Sequence, residues 1–137
     1  MIKERIDQKA GRILEYVRLV RGIQDDCLER FSTDPIYRGA LLHYLYLIAD
    51  SCISLAVLVI KHKSLRPPQT YAEAFDILGA NRVIDPEFAY SFAKIAGFRN
   101  LLAHDYDVLD AQRICSHLIS GLDEVEQYVL EIQQAAG

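Results

Sequence analysis

The side chains best suited to chemistry lie together in residues 99–106, which read Arg-Asn-Leu-Leu-Ala-His-Asp-Tyr. His104 has the one side-chain type whose unperturbed pKa lies near neutrality, so it can take up or release a proton at neutral pH. Arg99 carries a planar fork of donors that matches a phosphate group and its developing charge. Tyr106 can donate to a phosphate or stack on a base, and Asn100 can bind a nucleic-acid backbone or orient His104 one helical turn further on. These residue types suit proton transfer beside a bound phosphate.

The full string is more informative than any one of its members. An Arg followed five places later by a His is weak evidence, because short patterns of common residues arise by chance. Adding the neighbouring Asn and the Tyr two places beyond the His leaves about two or three chance matches in ten thousand. Taken singly, Arg99 suits a surface ion pair, His104 a helix C-terminus and Tyr106 the core. Together we interpret them as a functional site.

Helices must position these residues, because the chain has little that would interrupt a helix. Its 137 residues are the length of a single domain, 1–137, and hold 7 Gly and 4 Pro. Asp34 and Asp85 each precede a Pro, which is a typical helix start. Thr70 and Glu73 have the spacing of a capping box, in which each side chain bonds to the other residue's backbone. Apolar periodicity predicts five helices, over residues 2–31, 36–62, 71–79, 85–103 and 110–135.

The second predicted helix is the most apolar part of the chain, and its residues 41–60 are long enough to cross a bilayer. Asp50 lies in its middle, where a charge costs at least ~2.5 kcal/mol in lipid. We therefore expect a central bundle helix, covered by neighbouring helices or by a second subunit. A carboxylate in such a helix needs a partner. Asp50 either faces solvent on a wet side of the helix or orients Arg99 or His104.

Charge and cysteine content limit the class of protein. The net charge of −4 argues against a protein that coats nucleic acid nonspecifically, although not against an enzyme that touches a few phosphates. Cys27, Cys52 and Cys115 are far apart and odd in number, so we expect buried free thiols in a reducing compartment. Neither the cysteines nor the histidines have the spacing of metal ligands, so we expect no metal site. The charged start of the chain lacks the apolar region of a secretory signal.

Two clusters of charge remain open to interpretation. Residues 61–66 include Lys61, His62, Lys63 and Arg66 and no acid. They can bind an RNA backbone, but a solvated helix end is the favoured reading, because cations are stabilising at helix C-termini. Residues 104–131 hold seven acids and one Arg. This last region is a poor RNA surface and is better suited to a basic partner.

The segment 99–106 resembles the Arg-x4-6-His signature of HEPN domains, and its additional Tyr resembles the HepT toxin branch of that family. One departure is Ser54, which stands near a place where the family often has an acid. Whether Asp50 or Ser54 supports the site is therefore open. The likeness covers roughly residues 36–130 and includes the apolar helix, the loop with Pro67, the segment 71–78 (Tyr-Ala-Glu-Ala-Phe-Asp-Ile-Leu) and the helix start at 83–85 (Val-Ile-Asp).

This resemblance implies an all-α, HEPN-like up-and-down bundle of four to five helices. It implies a homodimer in which two copies of the motif face each other across a cleft. The implied activity is that of a cytoplasmic, metal-independent endoribonuclease without a cofactor, which cleaves tRNA or mRNA. By position, Arg99 and His104 would be catalytic, with Asn100 and Tyr106 as auxiliary residues. Asp50 is a further auxiliary candidate, because a carboxylate in the apolar helix needs a partner such as Arg99 or His104.

The resemblance also implies a partner. Family members are toxins of type VII-like toxin–antitoxin pairs, whose antitoxin is a minimal nucleotidyltransferase named MntA. That enzyme adenylylates the motif tyrosine, here Tyr106, and so silences the toxin. The alternative is a noncatalytic helical protein that binds and regulates a minimal nucleotidyltransferase. Both interpretations use the same fold and motif, and they differ in whether His104 is needed for RNA cleavage.

Overall fold

The predicted all-α fold is confirmed by a computed structural model, which describes residues 1–104 and 109–136. Within these ranges the chain forms helices and no strand. Residues 105–108, between the last two predicted helices, lie outside the described residues. The helices are α1 (Ile2–Arg21), α2 (Cys27–Thr33), α3 (Pro35–His62), α4 (Tyr71–Ala80), α5 (Pro86–Phe92), α6 (Ile95–His104) and α7 (Ala111–Ala136).

Helix α3 is the axis of the bundle, with α1, α4 and α6 packed against it. Its start follows the sequence pattern, because the Asp34 carboxylate accepts hydrogen bonds from the backbone N–H of Ile36 and of Tyr37, both at 3.1 Å. By length and composition α3 is apolar enough to cross a membrane. Among the large apolar side chains of 41–60, however, only Val57 is exposed. The chain's own helices cover this stretch, so its apolar character does not by itself require a second subunit.

Two of the five predicted helices are each divided in two. The predicted helix 2–31 is wrong as a single element, because α1 ends at Arg21 and α2 begins at Cys27. The bend between them lets α2 pack on α3 and α7, and the Tyr37 hydroxyl donates to the backbone carbonyl of Ile23 in this bend. The predicted helix 85–103 is also divided, at residues 93–94. This break lets α5 pack on α4 while α6 packs on α3.

An aromatic cluster joins α4, α5 and α7 in the core. The ring centroid of Phe92 lies 5.5 Å from that of Phe75 and 4.7 Å from that of Tyr128. The buried Tyr128 hydroxyl donates to the backbone carbonyl of Cys52 on α3, at 2.8 Å. Burial raises the pKa of Tyr128, which keeps the phenol protonated as a donor. Nearby, α4 and α5 approach so closely that a Cβ on Gly79 would lie 2.6 Å from the Cβ of Ala89, so this crossing requires a glycine.

The cap of α4 differs in one bond from the predicted capping box. The Glu73 backbone N–H donates to the Thr70 hydroxyl at 3.1 Å, as predicted. The Glu73 carboxylate instead accepts from the backbone N–H of Gln69, at 2.7 Å, rather than from that of Thr70. This bond lowers the pKa of Glu73, with burial opposing it and Arg66 adding to it. Side chains on both sides of the helix start thus hold Tyr71 at the first position of α4.

The expectation of three free thiols is wrong for two of them. Cys27 at the start of α2 and Cys115 in α7 form a disulfide, with their Cα atoms 5.7 Å apart. The two cysteines are 88 residues apart, so their pairing is a result of the packing of α2 on α7 rather than of a local spacing. Cys52 is a buried free thiol, as predicted, and burial raises its pKa.

We expect reduction of this disulfide to lower the free energy of unfolding by about 2–4 kcal/mol, because the unfolded chain then gains the freedom of a long loop. Urea denaturation of the wild-type protein with and without a phosphine reductant measures the change. The Cys115→Ser variant is the control, since it should be less stable under both conditions and should not respond to the reductant. An unfolding midpoint of the wild type that does not move on reduction would contradict this stabilising role.

Candidate active site

Arg99 lies in the second turn of α6, and its side chain points onto α3, where it is 17% exposed. Its Nε donates to the Asp50 carboxylate at 3.2 Å. One terminal nitrogen donates to the Tyr46 hydroxyl and the other to the Asn100 side-chain oxygen, both at 3.3 Å. Within the described part of the chain, these bonds use three of the five guanidinium N–H groups. One N–H on each terminal nitrogen is therefore left for a ligand such as a phosphate.

Two tyrosine rings flank the same guanidinium. The Cζ atom of Arg99 lies 5.4 Å from the ring centroid of Tyr46 and 5.2 Å from that of Tyr71. Such distances allow attraction between the cation and the ring faces. Sequence reasoning missed both residues. Tyr46 could have been found from its position four residues before Asp50 on one helix face, whereas Tyr71 carries no local signal.

The surroundings keep Arg99 charged. Burial alone would lower the pKa of its guanidinium, but the hydrogen bond that it donates to Asp50 and the negative charge of that carboxylate raise it. The net effect raises the pKa above its ordinary value. The site therefore presents a permanent cation that is held in place on several sides.

Of the two α3 residues left open by the sequence, Asp50 is the one that contacts Arg99. Its side chain is 42% exposed, so it lies at the edge of the site and not within the core. Ser54, one turn further along α3, is half-buried. It makes no side-chain hydrogen bond to the described residues. Both hypotheses for Asp50 hold in part, because its side chain is partly exposed to solvent and also accepts a hydrogen bond from Arg99.

His104 is the last residue of α6 and is exposed. Five residues of α-helix turn it by about 140° from Arg99, so the two side chains diverge around the helix. The side-chain oxygen of Asn100 accepts a hydrogen bond from Arg99, and within the described residues Asn100 makes no side-chain hydrogen bond to His104. The predicted role of Asn100 in orienting His104 is therefore not seen in this chain. Tyr106, the fourth member of the motif, lies outside the described residues.

The remaining cations of interest lie at the end of α3. Lys61, His62 and Lys63 are exposed there, which fits the solvated helix end favoured by the sequence. Arg66 in the following loop pairs with Glu73, its Nη1 lying 3.2 Å from the Glu73 carboxylate. Exposed ion pairs of this kind contribute little stability.

The acidic character of α7 is partly neutralised by the chain itself. Arg21 of α1 pairs with Asp123 at 2.7 Å and also with Glu126. Lys94, in the break between α5 and α6, pairs with Glu124 at 3.2 Å. Three acids of α7 are therefore paired with cations of the same chain. The basic partner of this region stays a prediction.

A cavity of about 630 Å³ lies between α3, α6 and α7, on the side of α6 away from Arg99. Its lining is mainly apolar and includes Leu45, Phe98 and Leu118. Arg99, Asp50 and His104 do not line it, so the polar constellation and the cavity are separate features. In residues 1–104 and 109–136, no three His, Cys, Asp or Glu side chains are grouped so as to hold a metal ion.

The sequence of this chain is similar to the sequences of known proteins. The chain is 23% identical over 124 residues to the mRNA nuclease HepT of Shewanella oneidensis. The aligned residues are 90% of this chain and 92% of that one. It is 28% identical over 123 residues to the tRNA nuclease HepT of Aphanizomenon flos-aquae, covering 89% of this chain and 81% of that one.

The fold also matches a solved structure, that of a tri-AMPylated Shewanella oneidensis HEPN toxin in complex with an MNT antitoxin. The TM-score is 0.78 at 22% identity, over 97% of both chains. The family model Ribonuclease HepT-like matches residues 13–132, which include all of α3 to α6 and the segment 99–106. The chain therefore belongs to the ribonuclease HepT-like family.

Proposed function

We propose that this chain is a metal-independent endoribonuclease and the toxin of a toxin–antitoxin pair. The observation that carries the proposal is the guanidinium of Arg99, held by Asp50, Tyr46 and Asn100 with two N–H groups left over. The exposed His104 follows on the same helix. Family membership supports the same activity, since the two similar relatives are named as mRNA and tRNA nucleases.

The reaction uses the RNA's own 2′-hydroxyl as the nucleophile. His104 takes the proton from this hydroxyl, and the oxygen attacks the adjacent phosphorus. Arg99 binds the nonbridging oxygens and stabilises the charge that develops on them. A proton delivered to the leaving 5′-oxygen completes the step. The products are a 2′,3′-cyclic phosphate and a 5′-hydroxyl.

The pair of proton transfers is the reason to propose a homodimer. The His104 of one subunit acts as the base, and the His104 of the other subunit acts as the acid. One copy of the motif offers a single His104, so the second subunit supplies the second proton-transfer group. The homodimer proposal thus rests on the catalytic groups and not on excess apolar surface.

We expect His104→Ala to lower the rate of RNA cleavage by about 10²–10⁴-fold, the range of general acid–base catalysis. Cleavage by the wild type should continue in EDTA and leave 2′,3′-cyclic phosphate ends, which sequencing of fragment ends detects. His117→Ala is the matched control, because His117 is exposed on α7. Loss of activity in chelator with recovery on added metal would contradict the mechanism. Full activity of His104→Ala would favour the alternative, a noncatalytic regulator of a nucleotidyltransferase.

We expect Asp50→Asn to lower kcat about tenfold while leaving KM nearly unchanged, because the amide cannot hold Arg99 by a charge-assisted bond. The effect is at the low end for such bonds, since Asp50 is 42% exposed. Ser54→Ala, one turn away on α3, is the control and should retain wild-type kinetics. Equal losses in the two variants, or none in Asp50→Asn, would remove Asp50 from the site.

We expect light scattering to give twice the 15.6 kDa monomer mass over a wide concentration range. The measurement is made on the same preparation that cleaves RNA. A monomer that cleaves RNA at the same rate per chain would contradict the paired-motif mechanism.

We propose that an MntA-like minimal nucleotidyltransferase is the antitoxin and that it adenylylates Tyr106. The solved structure of an AMPylated HEPN toxin bound to an MNT antitoxin supports this partner. An adenylate on Tyr106 adds bulk and negative charge close in sequence to Arg99. The added phosphate competes with RNA for the Arg99 guanidinium and repels the RNA backbone.

We expect the intact mass to rise by one or more adenylate groups when the protein is made with its nucleotidyltransferase and ATP. Tyr106→Phe should block the mass increase. Tyr90→Phe is the matched control, because Tyr90 is 84% exposed on α5 and should leave modification unchanged. Neutralisation of the wild type with no change of mass would show inhibition by binding alone.

The proposed location is the cytoplasm, because the RNA substrate and the ATP-dependent partner are found there. Disulfides are rare in that reducing compartment. The Cys27–Cys115 bond is therefore expected as two thiols in the cell and as a disulfide in the oxidised, purified protein. Alkylation of thiols before lysis distinguishes these states.

A further inference from the structure

Tyr71 is an aromatic residue placed beside Arg99 with much of its surface open. It is 47% exposed, yet its ring centroid lies only 5.2 Å from the Cζ atom of Arg99. Its position is set by the cap of α4, in which Thr70 and Gln69 bond to Glu73. The cap thus fixes the backbone that carries the ring, and the ring itself is not buried in the core.

Tyr46, the other ring at Arg99, differs in both respects. It is half-buried, and its hydroxyl bonds to an Arg99 terminal nitrogen at 3.3 Å. The Tyr71 hydroxyl makes no hydrogen bond to the described residues. Tyr46 is therefore engaged in holding Arg99, whereas Tyr71 has surface that Arg99 does not use.

We propose that Tyr71 binds a nucleobase of the RNA substrate by stacking, next to the phosphate that Arg99 holds. This inference rests on the proposed ribonuclease function. The Arg99 guanidinium lies over the Tyr71 ring, and the 47% of the residue's surface that remains exposed is available to a base. Aromatic side chains beside a cationic phosphate site are the usual means of binding single-stranded RNA. The ligand is a single-stranded nucleotide whose base lies on Tyr71.

Stacking sets the expected substrate preference. Every base has a flat face, so a stacking residue tolerates any sequence and favours the larger purines. Within the described residues no hydrogen bond orients the Tyr71 hydroxyl toward the edge of a base. We expect a purine adjacent to the cleaved bond to be preferred over a pyrimidine, without selection between adenine and guanine.

The test is a double-mutant cycle, in which the Tyr71 side chain and one base of the RNA are removed singly and together. The substrate is a short RNA with one cleavable position, made with a base or with an abasic sugar on the 5′ or the 3′ side of the scissile phosphate. Tyr71→Ala should lower kcat/KM about 5- to 150-fold on the complete RNA, the range supplied by base–aromatic stacking. Removing one of the two bases from the wild-type substrate should give a similar loss. Tyr71→Ala should cause no further loss on that abasic RNA.

Two controls define the result. Tyr71→Phe keeps the ring and should retain the base dependence that Tyr71→Ala loses, and Tyr90→Ala removes a more exposed ring from α5 and should have no effect. An equal loss for Tyr71→Ala on complete and abasic RNA would overturn the proposal, because Tyr71 would then act only through Arg99. Unchanged activity of Tyr71→Ala on complete RNA would also overturn it.

Binding separates this inference from the ribonuclease proposal. An RNA with a 2′-deoxy sugar at the cleavable position binds but cannot react, and its Kd is measured by fluorescence anisotropy with the same variants. A Tyr71-dependent and base-dependent Kd without cleavage of the normal RNA would keep the stacking site and reject the enzyme. Cleavage with no base dependence at either position would keep the enzyme and reject the stacking site. If Tyr71→Ala unfolds, the abasic substrates with wild-type protein decide the matter, since loss of the stacked base must weaken binding.

Discussion

The ion pair between Arg99 on α6 and Asp50 on α3 is the interaction on which the site depends. A guanidinium that is 17% exposed needs a partner for its charge, and so does a carboxylate within an apolar helix. Their pairing meets both needs and is made with α6 in one rotation relative to α3. Because His104 follows on the same helix, that rotation also determines the side on which His104 meets the solvent.

The break between α5 and α6 makes this pairing possible. Phe92 at the end of α5 lies in the aromatic cluster with Phe75 and Tyr128, which ties α5 to α4 and α7. After residues 93–94 the chain is free to take a second direction, and α6 packs on α3. A single helix over 85–103 would carry both segments along one line. The core thus anchors one segment, while the other presents Arg99 to Asp50.

Helix starts were predictable from the sequence, whereas the two helix breaks were not. Asp34, Thr70 and Asp85 each accept a bond from a backbone N–H three residues later, so the signal and its effect lie within one turn. The breaks at 22–26 and 93–94 have no proline, and apolar periodicity continues through them. Packing of α2 on α7 and of α6 on α3 decides them, and packing between distant elements overrides local propensity.

The sequence by itself determined the all-α fold, the motif 99–106 and the residue Asp50 as one that needs a partner. It could do so because helix periodicity, motif spacing and a charge in an apolar run are all local properties. Only the tertiary structure decided that Arg99 meets Asp50 and Tyr46, which lie 49 and 53 residues away, and that Tyr71 stands beside them. The Cys27–Cys115 bond spans 88 residues in the same way. Contacts over such separations depend on how helices cross, and no short stretch of sequence encodes a crossing.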